Sequence, residues 1–218
     1  MSNGFFKTIA RAVLAAAFCA SAFANDGGMV LRHQKDASRH REWMLTPQAV
    51  TLYDSRARQT VAVIELPQWV WAGESYLCPP DLALGPNGEA LVSSNVIPSL
   101  WRIDPVSLRV TRHDLVVDSH VDKDVGFTGL TYAAELGVYF AVSDFGALWR
   151  IDPLLRRAQE VKLEAPVRRA CRLVFRRNVL CAHDGVRPWT IRLAPDLRSG
   201  YTVRESAPAA RRSPCTGG

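Results

Sequence analysis

Leu100-Trp101-Arg102-Ile103-Asp104-Pro105 recurs as Leu148-Trp149-Arg150-Ile151-Asp152-Pro153, six identical residues in register at a spacing of 48. The likeness extends upstream of both copies. Leu91-Val92-Ser93-Ser94-Asn95 precedes the first, and Phe140-Ala141-Val142-Ser143-Asp144 precedes the second. Earlier still, Leu82-Ala83-Leu84 with Gly85-Pro86-Asn87-Gly88 answers Leu130-Thr131-Tyr132 with Ala133-Ala134-Glu135-Leu136-Gly137. Self-similarity at this period marks a chain built from stacked supersecondary units. A degenerate copy follows in Arg172-Leu173-Val174-Phe175, Val179-Leu180-Cys181-Ala182-His183-Asp184 and Trp189-Thr190-Ile191-Arg192-Leu193. Val50-Thr51-Leu52-Tyr53-Asp54 and Thr60-Val61-Ala62-Val63-Ile64-Glu65-Leu66 supply the final hairpin of another unit.

The repeated segments are short and rich in Val, Leu, Ile, Trp and Tyr, which is strand composition. Pro86-Asn87-Gly88 is a tight turn between strands, Asn and Gly both tolerating positive φ. Asp104-Pro105 and Asp152-Pro153 suit the start of a type I turn, with proline fixing φ and the carboxylate accepting nearby N–H groups. No stretch after residue 25 keeps a 3.6-residue period, so helix is expected to be scarce. The pattern predicts an all-β protein, a small β-propeller of about four four-stranded blades. Trp101, Trp149 and Trp189 fall at regular places and are read as packing between blades.

An apolar strand, Pro-Asn-Gly, Val-Ser-Ser-Asn and then Leu-Trp-Arg-Ile-Asp-Pro resembles the blades of NHL, YVTN and gluconolactonase-like propellers, over roughly residues 50 to 204. The resemblance speaks to architecture. Those relatives carry more blades than this chain has length for, which implies a narrow axis here. In lactonase-like relatives an Asn and an Asp at comparable strand ends, with a Glu, hold a divalent cation that acts as Lewis acid and activates water. The resemblance therefore implies a metal set of Asn95, Asp144 and Asp184, with Glu74 as the one candidate to complete it. Oxygen ligands of this kind suit calcium. The alternative is that each side chain forms an Asx turn capping its strand end.

The N-terminus has a separate purpose. Lys7 and Arg11 lead into the apolar run Ala12-Val13-Leu14-Ala15-Ala16-Ala17-Phe18-Cys19-Ala20, closed by Ser21-Ala22-Phe23-Ala24. This is a signal peptide with an A-x-A cleavage site, and its apolar run falls short of the roughly 18 residues that span a bilayer. Residues 1–24 are expected to be removed, leaving one domain over 25–207 and a C-terminal tail over 208–218, in the periplasm or outside the cell.

Cys78, Cys171, Cys181 and Cys215 remain after cleavage, an even count that favours disulfides in an exported chain. The segments around Arg176-Arg177-Asn178 read as a hairpin that places Cys171 opposite Cys181, leaving Cys78 for Cys215. No CxxC is present, which argues against a zinc site or a thioredoxin-type centre.

Charge is uneven: residues 150–218 carry a net +9 and residues 25–149 a net −5. A basic C-terminal surface on an exported protein points to an anionic lipid, a polysaccharide or an acidic partner rather than nucleic acid. Within the connecting segment from Pro67, Trp69, Trp71 and Tyr76 are the candidate ligand-binding residues, as aromatic side chains carry much of the energy at binding surfaces. Asp118-Ser119-His120-Val121-Asp122-Lys123-Asp124-Val125-Gly126 contains a D-x-D-x-G fragment without the EF-hand register. Ser93, Ser94 and Ser143 lack a G-x-S-x-G elbow, and no His lies in H-E-x-x-H. The resulting reading is an exported binding or scaffold module that needs no cofactor. Its rival is a divalent-metal-dependent hydrolase or lactonase.

Overall fold

The computed structural model describes residues 29–73, 78–118, 126–183 and 188–204, together with Cys215. The expected signal peptide, Glu74, Tyr76, Asp184 and most of the acidic segment after Asp118 lie outside the described residues.

Every long element is a strand, and the described residues contain no α-helix. Four antiparallel meanders follow one another along the chain. The first runs through Arg32–Asp36 (β1), Arg41–Leu45 (β2), Ala49–Asp54 (β3) and Gln59–Glu65 (β4). The second is Leu82–Leu84 (β5), Ala90–Ser93 (β6), Ser99–Ile103 (β7) and Val110–Asp114 (β8). A short strand, Val116–Asp118 (β9), then pairs in parallel with the outer strand of the third meander. That meander comprises Gly129–Ala133 (β10), Val138–Val142 (β11), Leu148–Ile151 (β12) and Arg157–Leu163 (β13). The last is Arg172–Arg176 (β14), Val179–His183 (β15), Pro188–Leu193 (β16) and Ser199–Arg204 (β17). Parallel pairing of Lys162 and Leu163 with Ser199 and Gly200 joins the last two meanders into one nine-stranded sheet.

The repeat explains this regularity. Its two copies of Leu-Trp-Arg-Ile are the third strands β7 and β12. Asp104 accepts from the amides of Val106 and Ser107, and Asp152 from those of Leu154, Arg156 and Arg157, so each carboxylate builds the turn that follows. Each turn closes with a leucine in the left-handed region, Leu108 at φ 56° and Leu155 at φ 56°.

The first strand of each meander lies innermost, with β1 beside β5, β5 beside β10 and β10 beside β14. Apolar cores fill the spaces between consecutive meanders. Trp43, Leu52, Val92 and Trp101 belong to the core between the first and second. Leu91, Phe127, Ala141 and Trp149 pack between the second and third, and Phe140, Leu148, Leu180 and Ile191 between the third and fourth, with Trp189 against them. The three tryptophans thus occupy the inter-meander packing positions that their spacing suggested.

Hydroxyls and amides tie the lead-in segments of the inner strands to one another. Ser93 Oγ accepts from Asp81 N at 2.8 Å and donates to Phe127 O at 2.8 Å. Thr128 Oγ1 donates to Ala170 O at 2.8 Å.

The four cysteines among the described residues are paired, but the pairing differs from the one read from sequence. Cys78 bonds Cys171 and Cys181 bonds Cys215. The expected hairpin is present, and its turn is Arg177-Asn178, both residues at positive φ (48° and 62°), as a two-residue primed turn requires. This turn pairs Arg176 with Val179, so Cys181 stands opposite Val174 and Cys171 falls outside the ladder. A hairpin centred on Arg176 would be needed to match the two cysteines.

Candidate functional site

The fourth interface, between the last meander and the first, has no apolar core among the described residues. It holds instead a cavity of about 810 Å³. Arg32, His33 and Gln34 of β1 form one wall, and Arg172, Val174 and Arg176 of β14 with His183 of β15 form the other. Cys171, Cys181 and Cys215 also contribute.

Strand pairing defines how these walls continue outward. Partners in a ladder share a face, so His33, Met44, Thr51 and Val63 make one row across the first meander. Val174, Cys181, Thr190 and Val203 make the corresponding row across the last. The inner ends, His33 and Val174, line the cavity. The outer ends remain open: Val63 is 62% exposed and Val203 49%. Cys215 packs onto the second row, buried beside Val179 and Cys181 with its Sγ 3.4 Å from Thr190 Oγ1.

A buried ion pair closes the axial end of this seam. Arg32 Nε donates to Asp81 Oδ1 at 2.9 Å, and another Arg32 nitrogen donates to Cys171 O. Asp81 also accepts from Leu82 N at 2.9 Å and Leu130 N at 2.8 Å. One carboxylate therefore touches the first three inner strands, and Arg172 of the fourth lies within electrostatic reach. Burial pushes the Asp81 carboxyl up, against the pull of Arg32 and the two amides. The Cys78–Cys171 disulfide joins the lead-in segments of the second and fourth meanders. Sequence reading passed over Asp81. Its one signal is Pro79-Pro80, which holds the preceding backbone extended, and its partner Arg32 lies in the least patterned part of the chain.

The expected metal residues do lie at equivalent places, Asn95 two residues beyond β6 and Asp144 two beyond β11. Their surroundings differ. The Asn95 side chain accepts from Ala72 N at 2.9 Å and donates to Ala72 O at 2.7 Å and Cys78 O at 3.1 Å, pinning the connecting segment. Asp144 Oδ1 is buried without a hydrogen-bond partner among the described residues. Among those residues no three His, Cys, Asp or Glu side chains are grouped to hold a metal.

Trp69 and Trp71 stack at 5.9 Å. Trp69 Nε1 donates to Ser93 O and Trp71 Nε1 to Pro47 O, and Trp69 packs against the core between the first two meanders. Ser94 Oγ donates to Val70 O, and Ser143 Oγ accepts from Ala147 N, so both hydroxyls serve the main chain.

No family model matches the chain, and no curated protein matches it. Its fold is shared with solved structures. The major allergen Mala s 1 of Malassezia sympodialis aligns with a TM-score of 0.51 and 10% identity, over 82% of this chain and 79% of that one. A streptogramin B lyase aligns at 0.59 and 11% identity, over 83% of this chain and 55% of its own. An auxiliary nutrient binding protein from Bacteroides thetaiotaomicron aligns at 0.56 and 11% identity, over 81% of this chain and 42% of its own. The fold is therefore that of a β-propeller. The chain spans about half the length of the lyase and less than half that of the nutrient binding protein.

Proposed function

We propose that this protein is an exported propeller-type binding module whose ligand sits in the seam between its first and last meanders. One observation carries the reading: where the other interfaces between meanders are filled with apolar side chains, this one is a cavity of about 810 Å³. That volume falls within the roughly 300 to 1,000 Å³ of small-molecule sites. Its walls are fixed by a buried ion pair at one end and a disulfide on one face, so the site is preformed and little ordering opposes binding. Paired cysteines support export, as disulfides persist in oxidising compartments. No described helix is long and apolar enough to cross a membrane.

The test is a melting-temperature screen of the oxidised protein against sugars, amino acids, nucleotides and organic acids, repeated on Val174→Trp, whose indole fills the cavity. Ligands that stabilise the wild type and lose their effect in the variant support the reading. Stabilisation that survives in every case in Val174→Trp overturns it.

A metal-dependent hydrolase is the second reading. The unpartnered buried oxygen of Asp144 favours it, as a cation would supply the missing partner.

A further inference from the structure

The two ends of the propeller differ. In every meander the turns after the first and third strands lie at one end, and the lead-in segments and the turns after the second strand at the other. All turns of the first end are within the described residues. Arg39 donates to Asn87 O at 2.7 Å and Arg41 to Pro105 O, so the turn ends of the first two meanders meet. Each turn after a third strand opens on an aspartate whose carboxylate accepts from the turn's own amides: Asp54, Asp104, Asp152 and Asp196. Each then passes through a residue at φ of 55° to 57°, Arg58, Leu108, Leu155 or Leu197. In three of these turns the next residue is an arginine: Arg109, Arg156 or Arg198. With Arg56, Arg58 and Arg177 they make an exposed basic end, none of them in an ion pair among the described residues. In the remaining turns Asp36 is paired with Arg39, Glu89 is buried against Tyr139, and Glu135 stands exposed.

Two aliphatic side chains stand out from this basic end at matching places, each two residues after its aspartate. Val106 is 87% exposed and Leu154 63%. Pro105 and Pro153 precede them and fix the local backbone, so presenting the tips costs little ordering. An acidic polysaccharide or peptide would use the arginines and gain nothing from the tips. A bilayer uses both, since anionic headgroups attract the guanidinium groups and the acyl boundary takes the aliphatic side chains.

We propose that this end of the propeller docks on an anionic lipid bilayer, with Val106 and Leu154 seated at the boundary between headgroups and acyl chains and the surrounding arginines on lipid phosphates. The inference does not rest on the seam or on its ligand.

The experiment measures, by co-sedimentation, how the oxidised protein as exported partitions between buffer and vesicles of phosphatidylcholine, alone or with phosphatidylglycerol at rising fraction. Two charge-matched double variants are compared: Arg109→Gln with Arg156→Gln at the turn end, and Lys162→Gln with Arg168→Gln towards the other. A third variant combines Val106→Ser with Leu154→Ser. All six side chains are exposed, so each variant keeps its core. Binding should rise with phosphatidylglycerol and fall with salt. The turn-end arginine variant should lose about thirtyfold in partitioning, the order that two basic residues near an anionic surface supply. The serine variant should lose about tenfold, and the Lys162 and Arg168 variant should partition as the wild type does. Binding that the serine variant keeps in full, or that soluble heparin or polyglutamate competes away as well as vesicles do, overturns the bilayer in favour of an acidic macromolecule. Absence of binding, equal binding to both kinds of vesicle, or a loss confined to the Lys162 and Arg168 variant overturns the inference outright.

Discussion

Arg32 and Asp81 form an ion pair at the axis, with Arg32 Nε 2.9 Å from Asp81 Oδ1 and side chains only 17% and 2% exposed. A pair this deep is costly to break from one side, because the remaining charge keeps its desolvation penalty and loses its partner. Arg32→Leu is expected to destabilise by about 3 to 5 kcal/mol at neutral pH, read by denaturant unfolding. Asp81→Asn in the same background should recover part of the loss. Burial already holds the Asp81 carboxyl high, and removing Arg32 pushes it higher. A raised folded value means that stability is lost as pH rises through it, so the Arg32→Leu deficit should shrink on acidification. A deficit independent of pH would exclude the charge as its cause.

The disulfides differ in reach, closing segments of 93 and 34 residues. On the chain-entropy estimate, replacing Cys78 and Cys171 by Ser costs about 4.7 kcal/mol, and replacing Cys181 and Cys215 about 3.8. Non-reducing peptide mapping checks the pairing directly. Linkage of Cys171 to Cys181 would contradict it.

Asn95→Ala should cost about 2 kcal/mol, since the part-buried main-chain groups of Ala72 and the buried carbonyl of Cys78 lose their partners. Asn95→Asp should be worse, because it turns a carboxylate oxygen towards the two carbonyls that the amide nitrogen now serves. A cation site would tolerate that change. Comparing the two variants in thermal melts therefore separates the structural role from metal ligation.

Calcium offers a second separation. A binding module without metal should melt at the same temperature with millimolar calcium and with chelator. If the hydrolase reading holds, calcium at a hundredfold excess over Kd adds about 2.7 kcal/mol, and Asp144→Asn removes that gain.

Acid should destabilise the fold as a whole. The amides of Ser107 and Val106 hold Asp104 below its ordinary 3.8, and the Ser99 hydroxyl and Arg112 do the same for Asp114. Carboxyls lowered in the folded state contribute stability that is present above the unfolded value and lost as pH falls through the folded one. The melting temperature should therefore drop below about pH 4, and less steeply in Asp104→Ala. An identical slope in that variant would count against the turn as the source.

What was legible in the sequence was whatever repeats. Leu-Trp-Arg-Ile-Asp-Pro announced β7 and β12 and the Asp-built turns after them, because strand alternation and turn chemistry are local properties. The cysteine pairing was not legible, since a shift of hairpin centre from Arg176 to Arg177-Asn178 changes every cross-strand partner. Asp81 was hidden for another reason. Its partners Arg32 and Leu130 are each 49 residues away in the chain, and nothing in its own neighbourhood marks it. Asn95 and Asp144 lie at equivalent strand ends, yet Asn95 is held by the main chain of Ala72 and Cys78, long-range partners that its own neighbourhood does not announce.

Cys215 lies beyond every described strand, yet it finishes a wall of the seam. A polypeptide is made from its N-terminus, and folding proceeds as it emerges. All four meanders can therefore assemble before the bond to Cys181 exists. A chain that stopped after β17 would keep every described strand and still lack part of the pocket wall, whereas a cut made once the Cys181–Cys215 bond has formed leaves the severed segment tethered in place.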